Sequence, residues 1–143
     1  MEKKIAKLWK LPSEFEVFNN NAKSKRKKTK WLAPKPHCHK YNFDGSAQNI
    51  CQGGAIIIRD HLGNIVAAYV GNPKNHTVTQ AKGMALLWGL RFAKSIGIKH
   101  LEIEGDSQII VEMVSGRSAS GWQVDPILRD ARMLMANLDG FTI

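Results

Sequence analysis

Apolar residues form two different patterns along this chain. Between residues 77 and 96 they recur every three or four positions, as on the buried side of an amphipathic helix. The apolar positions of this segment are Ala81, Met84, Ala85, Trp88 and Phe92. Elsewhere they form short runs bounded by turn-forming residues, which is typical of strands. The pattern therefore predicts one long helix, ended by Gly97, set among several short strands.

Five strands and two shorter helices are predicted around the long helix. The strands are predicted at residues 41–44, 55–58, 65–70, 100–104 and 141–143. The shorter helices are predicted from an N-cap at Ser107 to about Ser115, and over residues 126–137. Residues 60–64 form a turn between the second and third strands, which predicts an antiparallel hairpin. The order β-β-β-α-β-α-α-β indicates an α/β fold.

Two of the predicted strands end at an aspartate beside a glycine. Asp44 precedes Gly45 after the first strand, and Asp106 follows Gly105 after the fourth. Carboxylates held at strand ends can share a hard cation such as Mg²⁺, which prefers oxygen ligands. Lys82 lies between them in the sequence, near the start of the long helix. The pair is thus a candidate metal site.

Further potential ligands have simpler interpretations. Glu104 lies on the same face of its strand as Asp106, by the two-residue period, and either approaches the site or forms a solvated strand edge. His37, Cys38, His39 and Cys51 could bind zinc, but adjacent strand residues point to opposite sides of a sheet. Solvated residues at the start of a strand are the alternative for this group.

The sequence contains a series of short motifs whose order resembles the ribonuclease H-like domain of the plant retrotransposon (LINE-type reverse transcriptase-like) family. The resemblance covers residues 31–143 and rests on Trp31…Pro34, Lys40–Ser46, Gly54…Gly63, Ala85–Leu90 and Glu104–Ser107. It implies a mixed five-stranded sheet with flanking helices. It also implies that Asp44 and Asp106 are catalytic ligands of two Mg²⁺ or Mn²⁺ ions, which hydrolyse the RNA strand of RNA–DNA hybrids. Gly45, Ser46 and Ser107 would then contact the nucleic acid.

The sequence departs from this family at two points. Lys82 stands where the family has a glutamate, and the chain stops at Ile143, before the family's late aspartate and final helix. These departures predict a C-terminally truncated domain whose catalytic site is degenerate and vestigial. Such a protein would act by binding another protein or nucleic acid. The alternative is an active hybrid nuclease that recruits a substitute carboxylate, such as Glu104.

Positive charge is concentrated at the start of the chain. Residues 1–40 carry twelve Lys or Arg and three acidic residues, whereas residues 41–143 carry nine of each. Residues 1–30 are predicted to be a basic, largely disordered arm, and residues 31–143 the domain. The basic cluster of the arm is Lys23, Lys25, Arg26, Lys27, Lys28 and Lys30. It is interpreted as a solvated linker, a phosphate-binding tail or a nuclear import signal.

Location and partners follow from what the sequence lacks. No apolar run approaches the ~18–20 residues of a membrane helix, and two cysteines give no disulfide framework. An intracellular protein is expected, with the nucleus favoured over the cytoplasm. A missing final helix would leave Ile56, Ile58 and Val66, or their alternate neighbours, facing solvent. We expect another protein, a second copy or residues 5–18 to cover that face.

Overall fold

A computed structural model of the chain describes residues 31–48, 51–71 and 76–143. The basic arm predicted at residues 1–30 lies outside these ranges. The strands are β1 (His39–Gln48), β2 (Cys51–Arg59), β3 (Ile65–Gly71), β4 (His100–Gly105) and β5 (Gly140–Thr142). The helices are α1 (Val78–Ser95), α2 (Gln108–Val114) and α3 (Asp125–Ala136). Every strand and helix predicted between residues 41 and 143 is therefore present.

The strands form one mixed sheet in the order β3-β2-β1-β4-β5. The pairs β1–β2 and β2–β3 are antiparallel, whereas β1–β4 and β4–β5 are parallel. The predicted hairpin between β2 and β3 and the predicted mixed five-stranded sheet are thus confirmed. The parallel pairing of β1 with β4 follows the crossover through α1, and it places the ends of these two central strands side by side.

Helix α1 is fixed at both ends by its own sequence. Thr77 accepts a hydrogen bond from the Gln80 backbone, and the Gln80 side chain accepts one from Thr77, which completes a capping box. The helix stops before Gly97, whose φ of 78° lies in the left-handed region that glycine tolerates. No helix in the described part of the chain is long and apolar enough to cross a membrane.

The core lies between the sheet and the three helices. Its largest fully buried side chains are Tyr41, Ile58, Leu86, Leu101, Ile110 and Leu128. The Tyr41 hydroxyl donates to the carbonyl oxygens of Ala85 and, at 3.3 Å, Leu86, so the buried phenol has its partners on α1. Gly89 lies against the Tyr41 ring. These contacts dock α1 closely on β1.

The two faces of the sheet differ in what covers them. On the helix face, which bears Tyr41 and Phe43, Ile56 and Ile58 are buried. The opposite face carries Ala55 and Ile57, which are only half-buried. Buried residues of all three helices belong to one core cluster with Ile56 and Ile58 of the helix face. It is therefore the alternate neighbours of Ile56 and Ile58 that point outward.

Candidate active site

Asp44 and Asp106 meet where strands β1 and β4 part. The parallel ladder between these strands ends with Phe43 opposite Gly105, and Asp106 follows directly. Asp44 does not end its strand, contrary to the sequence prediction. Strand β1 continues to Gln48 because its antiparallel ladder with β2 runs on past Gly45. The two aspartates are nevertheless brought to the same point of the sheet, as predicted from the resemblance.

Gly45 sets the distance between this point and helix α1. A Cβ atom on Gly45 would lie 2.6 Å from the backbone nitrogen of Lys82 and 2.8 Å from its Cα. Only glycine allows the two backbones to approach so closely. The N–H of Gly45 donates to Asp44 Oδ1 at 2.7 Å. The structure thus gives Gly45 a packing role that places Lys82 beside Asp44, and its contact with nucleic acid stays a prediction.

The ammonium group of Lys82 lies between the two carboxylates. Its Nζ is 2.9 Å from Asp106 Oδ1, which it donates to, and 3.6 Å from Asp44 Oδ1. The Lys82 side chain is 17% exposed, whereas those of Asp44 and Asp106 are 61% and 58% exposed. A partly buried cation therefore joins one helix and two strands through two solvent-facing acids.

The aspartates keep this cation charged. Burial by itself lowers the pKa of Lys82, but the hydrogen bond and charge of Asp106, together with Asp44, outweigh it and raise the pKa above its usual value of 10.5. Raising the pKa of a lysine stabilises its protonated form. Lys82 is thus a permanent ammonium at neutral pH, and the cluster formed by Asp44, Lys82 and Asp106 carries a net charge of −1.

This cluster does not fit a divalent ion. Mg²⁺ binds carboxylate oxygens at about 2.0–2.1 Å, and an ion shared by Asp44 and Asp106 needs the space that the ammonium holds. A divalent ion about 4 Å from Lys82 would be repelled by roughly 8 kcal/mol at an effective dielectric constant of about 20. In the described ranges, no three His, Cys, Asp or Glu side chains are grouped to hold a metal ion.

Glu104, the substitute carboxylate considered from the sequence, is engaged elsewhere. Its Oε1 lies 2.6 Å from Lys40 Nζ, and its Oε2 accepts from Asn42 Nδ2 at 3.1 Å. Lys40 is only 4% exposed and lies 3.6 Å from Glu102 as well. Both oxygens of Glu104 therefore bind within this Lys40 network, rather than in the Asp44–Lys82–Asp106 cluster.

Sequence reasoning missed the Lys40 network. The signal that could have found it is the cross-strand register, in which Lys40 pairs with Glu102 and Asn42 pairs with Glu104. A buried lysine requires such partners because an unpaired charge in the interior is costly. The Oδ1 atom of Asn42 is buried and, within the described residues, has no hydrogen-bond partner.

The remaining predicted site residues differ in where the structure places them. Ser107 caps α2, and its hydroxyl accepts from the Ile110 N–H at 3.4 Å. Ser46 lies in β1. Cys38 and Cys51 lie near opposite ends of the β1–β2 ladder, so the group considered for zinc is not assembled. The six basic residues of the arm fall outside the described ranges.

Comparison with known proteins identifies related sequences and folds. The family model described as reverse transcriptase-like matches residues 42–143. None of the curated proteins is a significant match. The chain is similar to the solved structure of RNase H1 from the halophilic archaeon Halobacterium salinarum NRC-1, with 24% identity and a TM-score of 0.66 over 73% of this chain and 81% of that one.

Two further solved structures show the same fold. The N-terminal RNase H domain of a Mycobacterium tuberculosis protein, solved as a maltose-binding-protein fusion, has 18% identity and a TM-score of 0.69. That match covers 73% of this chain and 78% of the other. LC11-RNase H1 in complex with an RNA/DNA hybrid has 18% identity and a TM-score of 0.63, over 73% and 83% of the two chains. Likeness at these identities establishes the fold.

Proposed function

Because this chain belongs to the reverse transcriptase-like family and has the RNase H fold, we propose that it binds nucleic acid but is impaired in cleaving it. The observation that carries the proposal is the Lys82 ammonium, 2.9 Å and 3.6 Å from the two carboxylates. In a two-metal hydrolase these carboxylates would hold the ions that activate water and stabilise the leaving oxygen. Here they bind a lysine of the same chain.

The size of the effect follows from transition-state energetics. Each ~1.4 kcal/mol of lost transition-state stabilisation lowers the rate tenfold. Loss or displacement of the ions that Asp44 and Asp106 would hold is therefore expected to lower the rate by several powers of ten. Glu104, the substitute considered from the sequence, is bound to Lys40 and Asn42. Plant retrotransposon origin stays a prediction.

Nucleic acid is the proposed partner for two reasons. The hybrid-bound structure of LC11-RNase H1 shares this fold, and such duplexes are recognised largely through shape, phosphates and the 2′-hydroxyl. The basic cluster between residues 23 and 30 supplies positive charge that residues 41–143, with nine basic and nine acidic residues, lack. The same cluster is proposed as a nuclear import signal.

The first prediction tests the loss of cleavage. The full-length chain is expected to leave the labelled RNA strand of an RNA–DNA hybrid intact in Mg²⁺ or Mn²⁺, because Lys82 holds the place of the ions. A denaturing gel of the labelled strand measures this, with an active RNase H as the positive control. Metal-dependent cleavage that disappears in Asp44→Asn would establish the alternative, an active hybrid nuclease.

A second candidate function, self-association, rests on the edge strand β3. This strand forms one edge of the sheet, and none of its seven residues, Ile65–Gly71, is charged. Val70 is 61% exposed and Ala68 is exposed, beside Ala55 and Ile57 of β2. Uncharged edges are templates for pairing with another strand. We propose that β3 of a second copy of this chain pairs with β3. In a two-fold antiparallel pair centred on Ala68, the two copies of this small residue would lie opposite each other.

Self-association through β3 predicts a dimer at micromolar concentration. Ala68→Lys is expected to give monomers, because two like charges would face each other across the two-fold axis. Light scattering coupled to gel filtration measures the mass. Met133→Lys, which adds the same charge at an exposed position of α3, is the matched control. A monomeric wild type would eliminate this candidate and leave the nucleic-acid proposal intact.

A further inference from the structure

We infer that Lys82 is a tethered cation that replaces divalent ions, so that the carboxylate site is closed to Mg²⁺ and Mn²⁺ in the folded protein. The inference rests on the proposed function, because cleavage with metal ions at this site would require the Lys82 ammonium to move away from Asp44 and Asp106. It goes further by assigning Lys82 a positive role. The lysine is the resident ligand of Asp44 and Asp106.

The position of the ammonium supports this role. A divalent ion shared by Asp44 and Asp106 would link β1 to the segment after β4. The ammonium makes that link at 3.6 Å and 2.9 Å, and it also ties both strands to helix α1. A lysine provides three hydrogen-bond donors on one compact charge, which suits two separate carboxylates.

The backbone around Lys82 makes its position a property of the fold. The close approach of Gly45 fixes the Lys82 Cα beside Asp44. The capping box at Thr77 and Gln80 fixes the start of the same helix, five residues earlier. A Cβ atom added to Gly83, the next residue, would lie 3.4 Å from Ile127, so α1 packs closely against α3 at this point. The four-carbon side chain therefore starts from a defined point and ends between the acids.

Removing the positive charge is expected to open the site to metal. In Lys82→Met the stem stays similar in size, but Asp44 and Asp106 become an uncompensated pair of carboxylates. The affinity of this variant for Mn²⁺ should exceed that of the wild type at least about tenfold, because the repulsion between the ion and the ammonium is removed. Lys82→Arg keeps the positive charge and should still exclude the ion.

The experiment titrates the full chain with Mn²⁺ and follows backbone amide signals by NMR. Paramagnetic broadening at Asp44, Gly45 and Asp106 reports binding at the site whether or not any substrate is cleaved. The wild type and Lys82→Arg should show no selective broadening there, and Lys82→Met should show it. Lys94→Met, which removes an exposed charge from the same helix, is the matched control and should behave like the wild type.

Two outcomes would overturn the inference. Selective broadening at Asp44 and Asp106 in the wild type would show that the site admits the ion despite Lys82. A Lys82→Met variant that keeps a dispersed spectrum but gains no Mn²⁺ affinity would show that the lysine is not what excludes it. If Lys82→Met does not fold, as shown by loss of its dispersed spectrum, the Mn²⁺ titration of the wild type alone tests the inference. Hybrid cleavage is scored separately, so broadening without cleavage would contradict the tethered cation but not the proposed function.

Discussion

Replacing Gly89 with alanine is expected to destabilise the fold by about 3 kcal/mol, the upper end of the usual cost of overpacking a core. Helix propensity alone predicts the opposite, because alanine is favoured over glycine within a helix by about 1 kcal/mol. Packing decides the sign. The added Cβ atom would overlap the ring and hydroxyl of Tyr41, which is fully buried and bonded to the carbonyls of Ala85 and Leu86.

Gly83 provides a matched control in the same helix. A Cβ atom there would meet Ile127 at 3.4 Å and Val124 at 3.7 Å, which are ordinary van der Waals distances. Gly83→Ala should therefore stabilise the protein by about 1 kcal/mol, as propensity predicts. Thermal unfolding followed by circular dichroism measures both variants, with a change of about 4 °C or more per kcal/mol in a domain of this size. Equal shifts in both would show that Tyr41 does not pack against Gly89 as described.

The long helix was the most predictable element of the fold. The apolar spacing gave residues 77–96, and the structure has Val78–Ser95 with Thr77 as its cap. Local signals suffice here because the capping residues, the apolar stripe and the terminal glycine all agree. The order of strands and helices was likewise predictable, since each apolar run is separated from the next by turn-forming residues.

Strand β1 shows where local signals fail. The sequence predicted residues 41–44, but the strand runs from His39 to Gln48. Its second half contains Gly45, Ser46 and other residues of low strand propensity, so nothing local extends it. Pairing with β2 stabilises this half of the strand. Strand formation depends on such neighbours more than on local propensity.

The three residues of the candidate site were named from the sequence, but the geometry that joins them was not predictable from it. The resemblance named Asp44, Lys82 and Asp106, but only the parallel register of β1 with β4 and the Gly45 contact bring Lys82 between the acids. Lys40 was not singled out, because a lysine in a strand is usually exposed. Its burial depends on Glu102 and Glu104, which are more than sixty residues away in sequence.

Nucleic-acid affinity is expected to fall about 10³-fold between 50 and 200 mM salt if all six basic residues of the arm contact phosphates. Each phosphate contact releases counterions and adds about −0.9 to the slope of log K against log salt for a duplex. Residues 41–143 carry equal numbers of basic and acidic residues, so the steep part of this dependence is expected to come from the arm.

Two triple variants of the full chain distinguish the contribution of the arm to binding from that of net charge. Changing Arg26, Lys27 and Lys28 to glutamine should reduce the magnitude of the slope by about 3, because three contacts are lost. Changing Lys94, Lys99 and Arg129, which are exposed on the folded domain, removes the same charge and should change the slope little. Fluorescence anisotropy with a short RNA–DNA hybrid in EDTA measures both, so that no cleavage intervenes. If the two variants lower the slope equally, net charge rather than the arm binds the phosphates; if neither lowers it, the arm does not take part in binding.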